Sequence, residues 1–379
     1  MIDKKTPIPV YEQIRQLIQN EIISGVYPPG SMLPTEAELG QRFGVSRYPM
    51  RQAMTALVKE GLLERVRGKG TFVNSKQSEY VQQKNVRRII ALVMPELRGD
   101  YANSIIEGFV NSAANYDFAV LVAISRTAAE EQMTVERMVR AGASYVVLFP
   151  ASSEHDSSHL KTLMEDMTNR GIYISLIDRN PGLEHIDFIS TDNAGGGYMA
   201  ARHIHLQGYR SAVFVGNTLE FSSVQERLHG FQRGLRQYGL TLLNPVIQEL
   251  DHLDDRQMLH GVDFSSSYFY EHLDDLRAYL PFGIFCENDN MAIMVMDELR
   301  DKGFEIGEEI GVVGFDNISA GKYQQPPLTT ISQNGILIGE TAAEIAISRV
   351  LRGSKQSVRQ ILPTQVIIRK SCGEAHARS

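Results

Sequence analysis

Short apolar runs alternate with amphipathic helical segments along most of this chain. The runs lie at residues 89–94, 118–124, 145–149, 172–177, 212–215, 283–286 and 310–313. One intervening segment carries Ile105, Ile106, Phe109 and Val110 at helical spacing. Strands that alternate with helices form a parallel sheet covered on both faces. Because the region from Val86 onward spans roughly 290 residues, more than one domain of usual size, we expect two α/β lobes.

Polar residues follow most of these apolar runs. In open parallel sheets, ligands bind beyond the carboxyl ends of the strands, so such residues are candidate ligand contacts. They are Glu96, Asp178, Arg179, Asn217, Asn288, Asp289, Asp316 and Asn317. Carboxylates, amides and an arginine in one cleft suit a neutral polyhydroxyl ligand. Each residue alone is also typical of a helix cap or a loop, and Asp289 is expected to cap the helix beginning near Met291.

The first 74 residues are organised differently. Apolar residues between Pro9 and Gly25 recur three or four positions apart and predict one helix. Thr35 and Glu38 then match a capping box, in which a hydroxyl and a carboxylate satisfy the free N–H groups of a helix start. This second helix is expected to end at Gly44.

A third helix and a basic hairpin are predicted next. Ser46 is the expected N-cap, and Pro49 falls at the third helical position, where its missing N–H had no helical acceptor. Arg47 and Arg51 share the exposed face, where guanidinium groups can contact guanine or phosphate. Residues 65–70 form the glycine-containing tip of the hairpin. This order predicts a winged helix-turn-helix that reads duplex DNA, the alternative being a small helical domain with a solvated charged face.

Charge is divided unevenly along the chain. The first 87 residues hold 13 Lys and Arg against 8 Asp and Glu, a balance of +5, and the remainder holds 25 against 37, a balance of −12. A basic N-terminal part on an acidic remainder indicates that only the former meets a polyanion. The two cysteines, the charged start MIDKKTPI and the lack of any run near roughly 18 apolar residues favour a cytoplasmic protein without a membrane role.

Several enzyme motifs are absent from the sequence. It contains no G-x-x-x-x-G-K-[ST], no G-x-G-x-x-G after the first predicted strand and no H-E-x-x-H. The glycine cluster Gly195-Gly196-Gly197 could cradle a phosphate, but close helix packing or a lobe crossing is the favoured interpretation. We therefore expect neither an enzyme, a cofactor nor a metal site.

The stretch LPTEAELGQRFGVSRYPMRQAMTALVKEGLLERVRGKGTFV resembles the winged helix-turn-helix domain of the GntR family over nearly its whole length. The resemblance implies a homodimer on partly palindromic, double-stranded operator DNA. The DNA-binding residues carried over, together with their neighbours in the motif, are Thr35, Glu36, Ser46, Arg47, Tyr48, Arg51, Arg67, Gly68, Lys69 and Gly70. The sequence departs from the family at Pro49, where threonine is usual, so that a phosphate-contacting hydroxyl and N–H are lost.

The later stretches YISLIDR, CENDNMA and GVVGFDNISAGKYQQPPLTTISQ are similar to the effector-binding domain of LacI-type regulators, which have the periplasmic sugar-binding-protein fold. The likeness covers about residues 88 to 370. It implies two lobes joined by three crossings, and dimerisation through this domain. The effector-binding set that it implies is Tyr101, Asp178, Arg227, Phe264, Asn288, Asp316 and Gln333.

Together these observations predict an α+β winged helix-turn-helix domain at residues 1–74, called the head, and a two-lobed α/β periplasmic-binding-protein-like domain with parallel sheets at residues 88–379, called the body. Residues 75–87 are the predicted linker. The arrangement resembles arabinose-repressor-like regulators. It predicts a repressor of carbohydrate-utilisation genes, controlled by a monosaccharide or small oligosaccharide. A nucleoside or purine effector, or a DNA-tethered carbohydrate enzyme, is the alternative.

Overall fold

The computed structural model describes residues 9–23, 26–74, 88–97, 99–151, 158–216, 221–243, 246–247, 273–353 and 356–373. The chain divides into two units, Met1–Arg87 and Arg88–Ser379. The predicted linker, residues 75–87, lies outside the described residues, as do Asn217 and the predicted effector contact Phe264.

Three helices and a two-stranded antiparallel hairpin form the head. They are α1 (Val10–Ile23), α2 (Glu36–Phe43), α3 (Arg47–Lys59), β1 (Leu63–Val66) and β2 (Gly70–Val73). The apolar stripe of α1 packs mainly on α3, and the fully buried side chains of the head include Ile14, Ile18, Leu39, Met50, Met54 and Leu57. Each such side chain contributes about 1.5–3 kcal/mol through burial. The predicted winged helix-turn-helix fold is confirmed.

The two ends of α2 follow from its sequence. Thr35 Oγ1 accepts a hydrogen bond from Glu38 N at 3.3 Å, and Glu38 Oε2 accepts one from Thr35 N at 2.7 Å. This is the predicted capping box. Gly44 ends the helix with a φ of 65°, in the left-handed region that glycine adopts without strain. The chain therefore turns sharply into α3.

The N-terminal lobe of the body is a six-stranded parallel sheet in the order β14-β7-β6-β5-β3-β4. Its strands are β3 (Ile89–Met94), β4 (Ala119–Ile124), β5 (Tyr145–Leu148), β6 (Tyr173–Ile177), β7 (Asp187–Thr191) and β14 (Arg359–Leu362). Its helices are α4 (Asp100–Asn115), α5 (Ala128–Arg140), α6 (Ser158–Asn169) and α11 (Gly335–Arg352).

The C-terminal lobe is a second sheet in the order β10-β8-β11-β12-β13-β15, with β9 also paired to β8. Its strands are β8 (Ser211–Gly216), β9 (Thr241–Leu242), β10 (Val246–Ile247), β11 (Phe282–Cys286), β12 (Ile310–Asp316), β13 (Thr329–Ser332) and β15 (Gln365–Ile367). Its helices are α7 (Asn193–Leu206), α8 (Ser222–Tyr238), α9 (Asp289–Asp301) and α10 (Ser319–Lys322). Among the described strands of this sheet, β15 alone runs antiparallel to its neighbour. The predicted two-lobed fold with parallel sheets is confirmed.

The chain crosses between the lobes three times. The crossings join β7 to α7, β13 to α11, and β14 to β15. They leave a cleft between the lobes at the carboxyl ends of the parallel strands, where ligands bind in open α/β sheets.

Glycines let α7 and α8 pack closely against each other. A Cβ atom on Gly197 would lie 2.0 Å from the carbonyl oxygen of Arg227, and one on Gly230 would lie 1.9 Å from that of Ala194. Any larger residue would push the helices apart. Close packing, one of the two favoured interpretations of the Gly195–Gly197 cluster, is therefore what Gly197 provides, and it holds Arg227 against α7.

Candidate functional site

The recognition helix α3 presents a polar, cationic face to solvent. Arg47, Tyr48 and Arg51 are exposed, whereas Met50 and Met54 are fully buried. Among the described residues, Arg47 and Arg51 form no ion pair with a carboxylate. Their guanidinium groups are spaced i, i+4 and are open to a polyanion.

Ser46 occupies the predicted N-cap position of α3, but its hydroxyl makes no cap hydrogen bond. An N-cap oxygen accepts from the backbone N–H of the second or third helical residue. The third residue here is Pro49, which has no N–H to donate. Pro49 thus offers no N–H to the Ser46 hydroxyl, and the predicted capping by the Ser46 side chain is wrong.

The wing is a short turn between two paired strands. Val66 pairs with Gly70, and Lys69 N donates to Val66 O at 3.0 Å, which closes the turn. Gly68 and Gly70 have φ values of 75° and 128°, so both need glycine. The predicted contacts Arg67, Gly68, Lys69 and Gly70 are all exposed on this turn.

Two predicted DNA contacts at the start of α2 also form contacts within the head. Thr35 belongs to the capping box. Glu36 Oε1 lies 2.7 Å from Arg65 Nη2 and joins α2 to the first strand of the wing. This ion pair partly neutralises a carboxylate that would otherwise repel phosphates.

The cleft of the body encloses a cavity of about 260 Å³ between the lobes. This is below the roughly 300–1,000 Å³ of pockets for drug-sized ligands and favours a smaller molecule. Six of the seven predicted effector contacts line the cavity, and they are Tyr101, Asp178, Arg227, Asn288, Asp316 and Gln333.

Tyr101 and Asp178 form the N-terminal wall of the cleft. Tyr101 Oη donates to Asp178 Oδ1 at 2.6 Å, and Asp178 is buried. Burial, together with the charge of Asp178, raises the pKa of Tyr101 well above its ordinary value. The phenol therefore stays neutral, while the carboxylate keeps further lone pairs for ligand hydroxyl groups.

Arg227 forms the opposite wall and is fixed on three sides. Its Nε donates to Asn193 Oδ1 at 2.9 Å, its Nη1 donates to the backbone oxygen of Glu287 at 2.6 Å, and its guanidinium lies 3.7 Å from the centre of the Phe315 ring. Among the described residues, Nη2 has no hydrogen-bond partner. The arginine is thus preorganised, with donors left for a ligand oxygen.

Asp316 and Gln333 lie where the cleft meets a crossing. Gln333 Nε2 donates to Asp316 Oδ1 at 2.6 Å, and Gln333 Oε1 accepts from Thr191 Oγ1 at 2.9 Å. Burial raises the pKa of Asp316 to about 8, against the opposing charge of Arg227. Near neutral pH the carboxyl group is therefore mostly protonated and can both donate to and accept from a hydroxyl group.

Hydrogen bonds join the two lobes across the cleft. Ser319 N donates to Asp100 Oδ2 at 2.5 Å, and Asn180 N donates to Ser222 Oγ at 3.1 Å. The first bond lowers the pKa of Asp100, since the carboxylate form accepts it better. The two lobes are thus joined by hydrogen bonds, one of which is accepted by Asp100, a residue that also lines the cavity.

The described residues offer neither a metal site nor a membrane-spanning helix. They contain no group of three or more His, Cys, Asp or Glu side chains that could hold a metal ion. None of their helices is long and apolar enough to cross a membrane.

Two family models match the chain. The model of bacterial regulatory proteins of the gntR family matches residues 10–73, and the model of a periplasmic binding protein-like domain matches residues 201–372. The head thus matches the gntR-family model, and the later part of the body matches the periplasmic binding protein-like model. Both resemblances inferred from the sequence are thereby confirmed.

Curated proteins and solved structures are also similar to the chain. An arabinose metabolism transcriptional repressor of Geobacillus stearothermophilus is 25% identical over 375 residues, covering 98% of this chain and 100% of the relative. The transcriptional repressor PurR of Aliivibrio salmonicida is 30% identical over 207 residues, covering 54% of this chain and 58% of the relative. A LacI family regulator from Enterococcus faecium, crystallised with bound ribose, has a TM-score of 0.60 at 22% identity, covering 76% of this chain and 100% of that one. The last likeness shows the fold of the body.

The periplasmic-binding-protein-like body also places Arg179 in its cleft, a candidate contact predicted from the strand ends but absent from the effector-binding set that the resemblance implies. Arg179 lies 3.7 Å from the ring centre of Phe221, which belongs to the other lobe, and its Nη1 donates to Pro150 O at 3.3 Å. Burial lowers the pKa of Arg179. The signal was present in the sequence, because Arg179 directly follows Asp178 at the end of β6.

The start of α9 differs from the prediction. Asn288, not Asp289, is the N-cap, and its Oδ1 accepts from Met291 N at 2.8 Å. Asp289 is buried and accepts from Thr330 Oγ1 at 2.6 Å and from Ile318 N at 2.8 Å. The predicted cap role of Asp289 is therefore wrong. Asn288 faces the cavity with an oxygen that already serves the helix.

Proposed function

We propose that this protein is a transcriptional repressor of carbohydrate-utilisation genes, whose binding to operator DNA is controlled by a small sugar held in the cleft of the body. The observation that carries the proposal is the meeting of Tyr101, Asp178, Arg227 and Asp316 around one small cavity. Neutral donors, a carboxylate and a fixed guanidinium suit the hydroxyl groups of an uncharged ring. The arabinose repressor similar along nearly the whole chain supports this proposal.

The cavity favours a monosaccharide over a longer sugar. Its volume of about 260 Å³ is small, and hydrogen bonds join the two lobes that enclose it. The ribose in the Enterococcus faecium regulator is a ligand of this size.

In this proposal the protein acts as a cytoplasmic homodimer. The dimer presents two α3 helices to two half-sites of double-stranded DNA. Sugar binding stabilises the closed body and changes how the heads can be placed on the operator. The coupling is reciprocal. If the sugar weakens DNA binding tenfold, about 1.4 kcal/mol, then bound DNA weakens sugar binding tenfold as well.

The body in this proposal binds its ligand and releases it unchanged. Tyr101 is held as a neutral phenol and Arg227 is held by three groups, an arrangement suited to recognition. Recovery of unchanged sugar after long incubation with the protein supports binding, whereas conversion of the sugar refutes it.

The decisive experiment is fluorescence anisotropy of the full-length protein on labelled DNA from upstream of its own gene. Salt is titrated first, followed by a panel of pentoses, hexoses and nucleosides. Selective, salt-sensitive binding that one sugar releases is the expected result. Binding to all sequences alike, or no binding, refutes the regulator. Selective binding that no sugar alters refutes the sugar effector.

A nucleoside or purine effector is the second candidate. The similarity to the repressor PurR over 207 residues favours it. Phe149 and Phe221 line the cavity and could contact a base. The two ligand classes are separated by the melting temperature, since a ligand that binds only the folded state raises it. We expect the larger rise with a pentose or hexose.

A further inference from the structure

Tyr48 and Gln52 form a hydrogen-bonded pair on the solvent face of α3. Gln52 Nε2 donates to Tyr48 Oη at 3.4 Å, one helical turn away. Tyr48 is 73% exposed, which is high for an aromatic residue, and Gln52 is exposed as well. The ring is not part of the packing of the head, whose core contacts on α3 come from the opposite face.

The pair lies beside the two arginines predicted to contact DNA. Arg47 and Arg51 form one i, i+4 pair on α3, and Tyr48 and Gln52 form the adjacent one. In a helix-turn-helix, the N-terminal side chains of the second helix contact base edges in the major groove. All four side chains lie within the first six residues of this helix.

The chemistry of the pair matches one base. Adenine presents N7 as an acceptor and N6–H as a donor in the major groove, and a glutamine amide contacts both. That contact uses the amide oxygen and the amide hydrogen on the same side, and it leaves the second hydrogen free. The second amide hydrogen can continue to donate to Tyr48 Oη, so Gln52 can make both interactions at once.

We propose that Gln52 reads an adenine in each operator half-site and that Tyr48 is a positioning residue, which fixes the plane of the Gln52 amide. This inference rests on the proposed DNA-binding function and adds a base and a residue to it. A free glutamine on a helix surface samples several rotamers, and ordering it weakens binding. The hydroxyl of Tyr48 restricts that sampling before DNA arrives.

The first test selects bound sequences from randomised duplexes with the full-length protein. The variants are Gln52→Ala, Tyr48→Phe and, as a matched control, Gln237→Ala at an exposed helical site in the body. Equal melting temperatures exclude misfolding as the cause of any change. We expect wild type and control to select an A·T pair at one position of each half-site, and both head variants to lose preference there while other positions keep theirs.

Other outcomes overturn the inference. If Gln52→Ala keeps every base preference, Gln52 does not read the DNA. If Tyr48→Phe keeps the A·T preference that Gln52→Ala loses, the positioning role is wrong. If wild-type protein selects no sequence at all, the DNA-binding function fails together with the inference, and that result is distinct from the first two.

A second test replaces one atom of the base, the acceptor N7 of adenine. 7-Deazaadenine at the selected position lacks the N7 acceptor and should weaken wild-type binding about tenfold, within the usual range for one base contact. The same replacement should not weaken Gln52→Ala further, because the contact is already absent. An equal loss in both proteins contradicts the assignment of Gln52 to N7.

Discussion

Gln333 and Asp316 are joined by a hydrogen bond of 2.6 Å that links the ligand cavity to a crossing between the lobes. The other end of the Gln333 amide accepts from Thr191, at the end of β7 in the N-terminal lobe. A ligand that changes the protonation or position of Asp316 therefore acts on a residue that bridges both lobes. In the proposed function this is a short route from sugar binding to closure of the body.

Replacing Asp316 with Asn should reduce the pH dependence of stability. Burial raises the pKa of Asp316 from 3.8 to about 8, so between these values the folded chain holds a proton that the unfolded chain releases. The free energy of unfolding should fall as the pH rises across this interval and change little above it. Above about pH 6, the variant should lose most of the dependence of unfolding free energy on pH. The dependence that remains below pH 6 reflects Asp289, whose pKa burial raises to about 6. Urea unfolding midpoints of wild type and variant, measured across this pH interval, give the pH dependence of stability. If the variant keeps the pH slope of wild type, Asp316 is not its source.

Arg227→Ala should weaken sugar binding by about 2–5 kcal/mol, since truncating one partner of a buried, charged hydrogen-bond network costs about that much. DNA binding without sugar should persist, but sugar should no longer release it. The matched control is Arg233→Ala, an exposed arginine on the same helix, which should respond normally. Calorimetric titration and anisotropy measure the two effects. A normal sugar response in Arg227→Ala refutes the map of the cleft.

Arg47→Ala and Lys69→Ala should weaken DNA binding in different ways. Loss of Arg47 should cost about 1–3 kcal/mol on the operator and relax the preference at one base pair. Loss of Lys69 in the wing should weaken binding to all sequences alike and reduce the salt slope by about 1. Salt titrations of both variants on specific and unrelated duplexes separate the two roles. Unchanged operator affinity in Arg47→Ala would rule out the groove assignment.

Ser46→Ala should change the free energy of unfolding by less than about 0.5 kcal/mol, because the Ser46 hydroxyl makes no cap bond. Thr35→Ala should cost about 0.5–2 kcal/mol, because Thr35 caps α2. Pro49→Thr restores an N–H at the third position of α3. In that background Ser46→Ala should cost about 1 kcal/mol. Thermal unfolding of the four variants tests this, and a large effect of Ser46→Ala in wild type contradicts it.

Asp100→Ala should make the closed body less stable without removing any group from the far wall of the cavity. The hydrogen bond from Ser319 N is lost, and at a partly exposed site we expect about a fivefold, or 1 kcal/mol, weaker sugar binding. The change should appear mainly in the release rate. Stopped-flow measurements test this, with Asp166→Ala on the outer helix α6 as the control. Identical release rates in wild type and variant argue against a role for this bond in closure.

The sequence predicted most of the architecture because periodicity is a local signal. Helix α1 follows from the spacing of its apolar residues, and β3 follows from a short, continuous apolar run. β7 was not among the predicted strands, because its sequence DFIST has a buried Asp187 and Ser190. The Arg349 guanidinium, whose Nε donates to Asp187 at 2.8 Å, lies 162 positions away, and no local pattern reveals it.

The candidate sites were predictable to a similar extent. Polar residues at strand ends indicated the cleft, but Arg179 joins it through Phe221 of the other lobe, a contact created only by the fold. The cap predictions at Ser46 and Asp289 failed for different reasons. Pro49 removes a donor next to Ser46, whereas Asn288 occupies the cap position of α9 and Asp289 accepts from Thr330 and Ile318 instead.

The order of strands along the chain also governs when each unit can fold during synthesis. The head is complete at Val73, whereas the N-terminal lobe takes its edge strand from residues 359–362 and the C-terminal lobe takes β15 from residues just beyond. A ribosome adds about 5–20 residues per second, so the roughly 290 residues between them take about 15–60 seconds. Each nascent chain therefore carries a finished DNA-binding unit well before its ligand-binding unit exists.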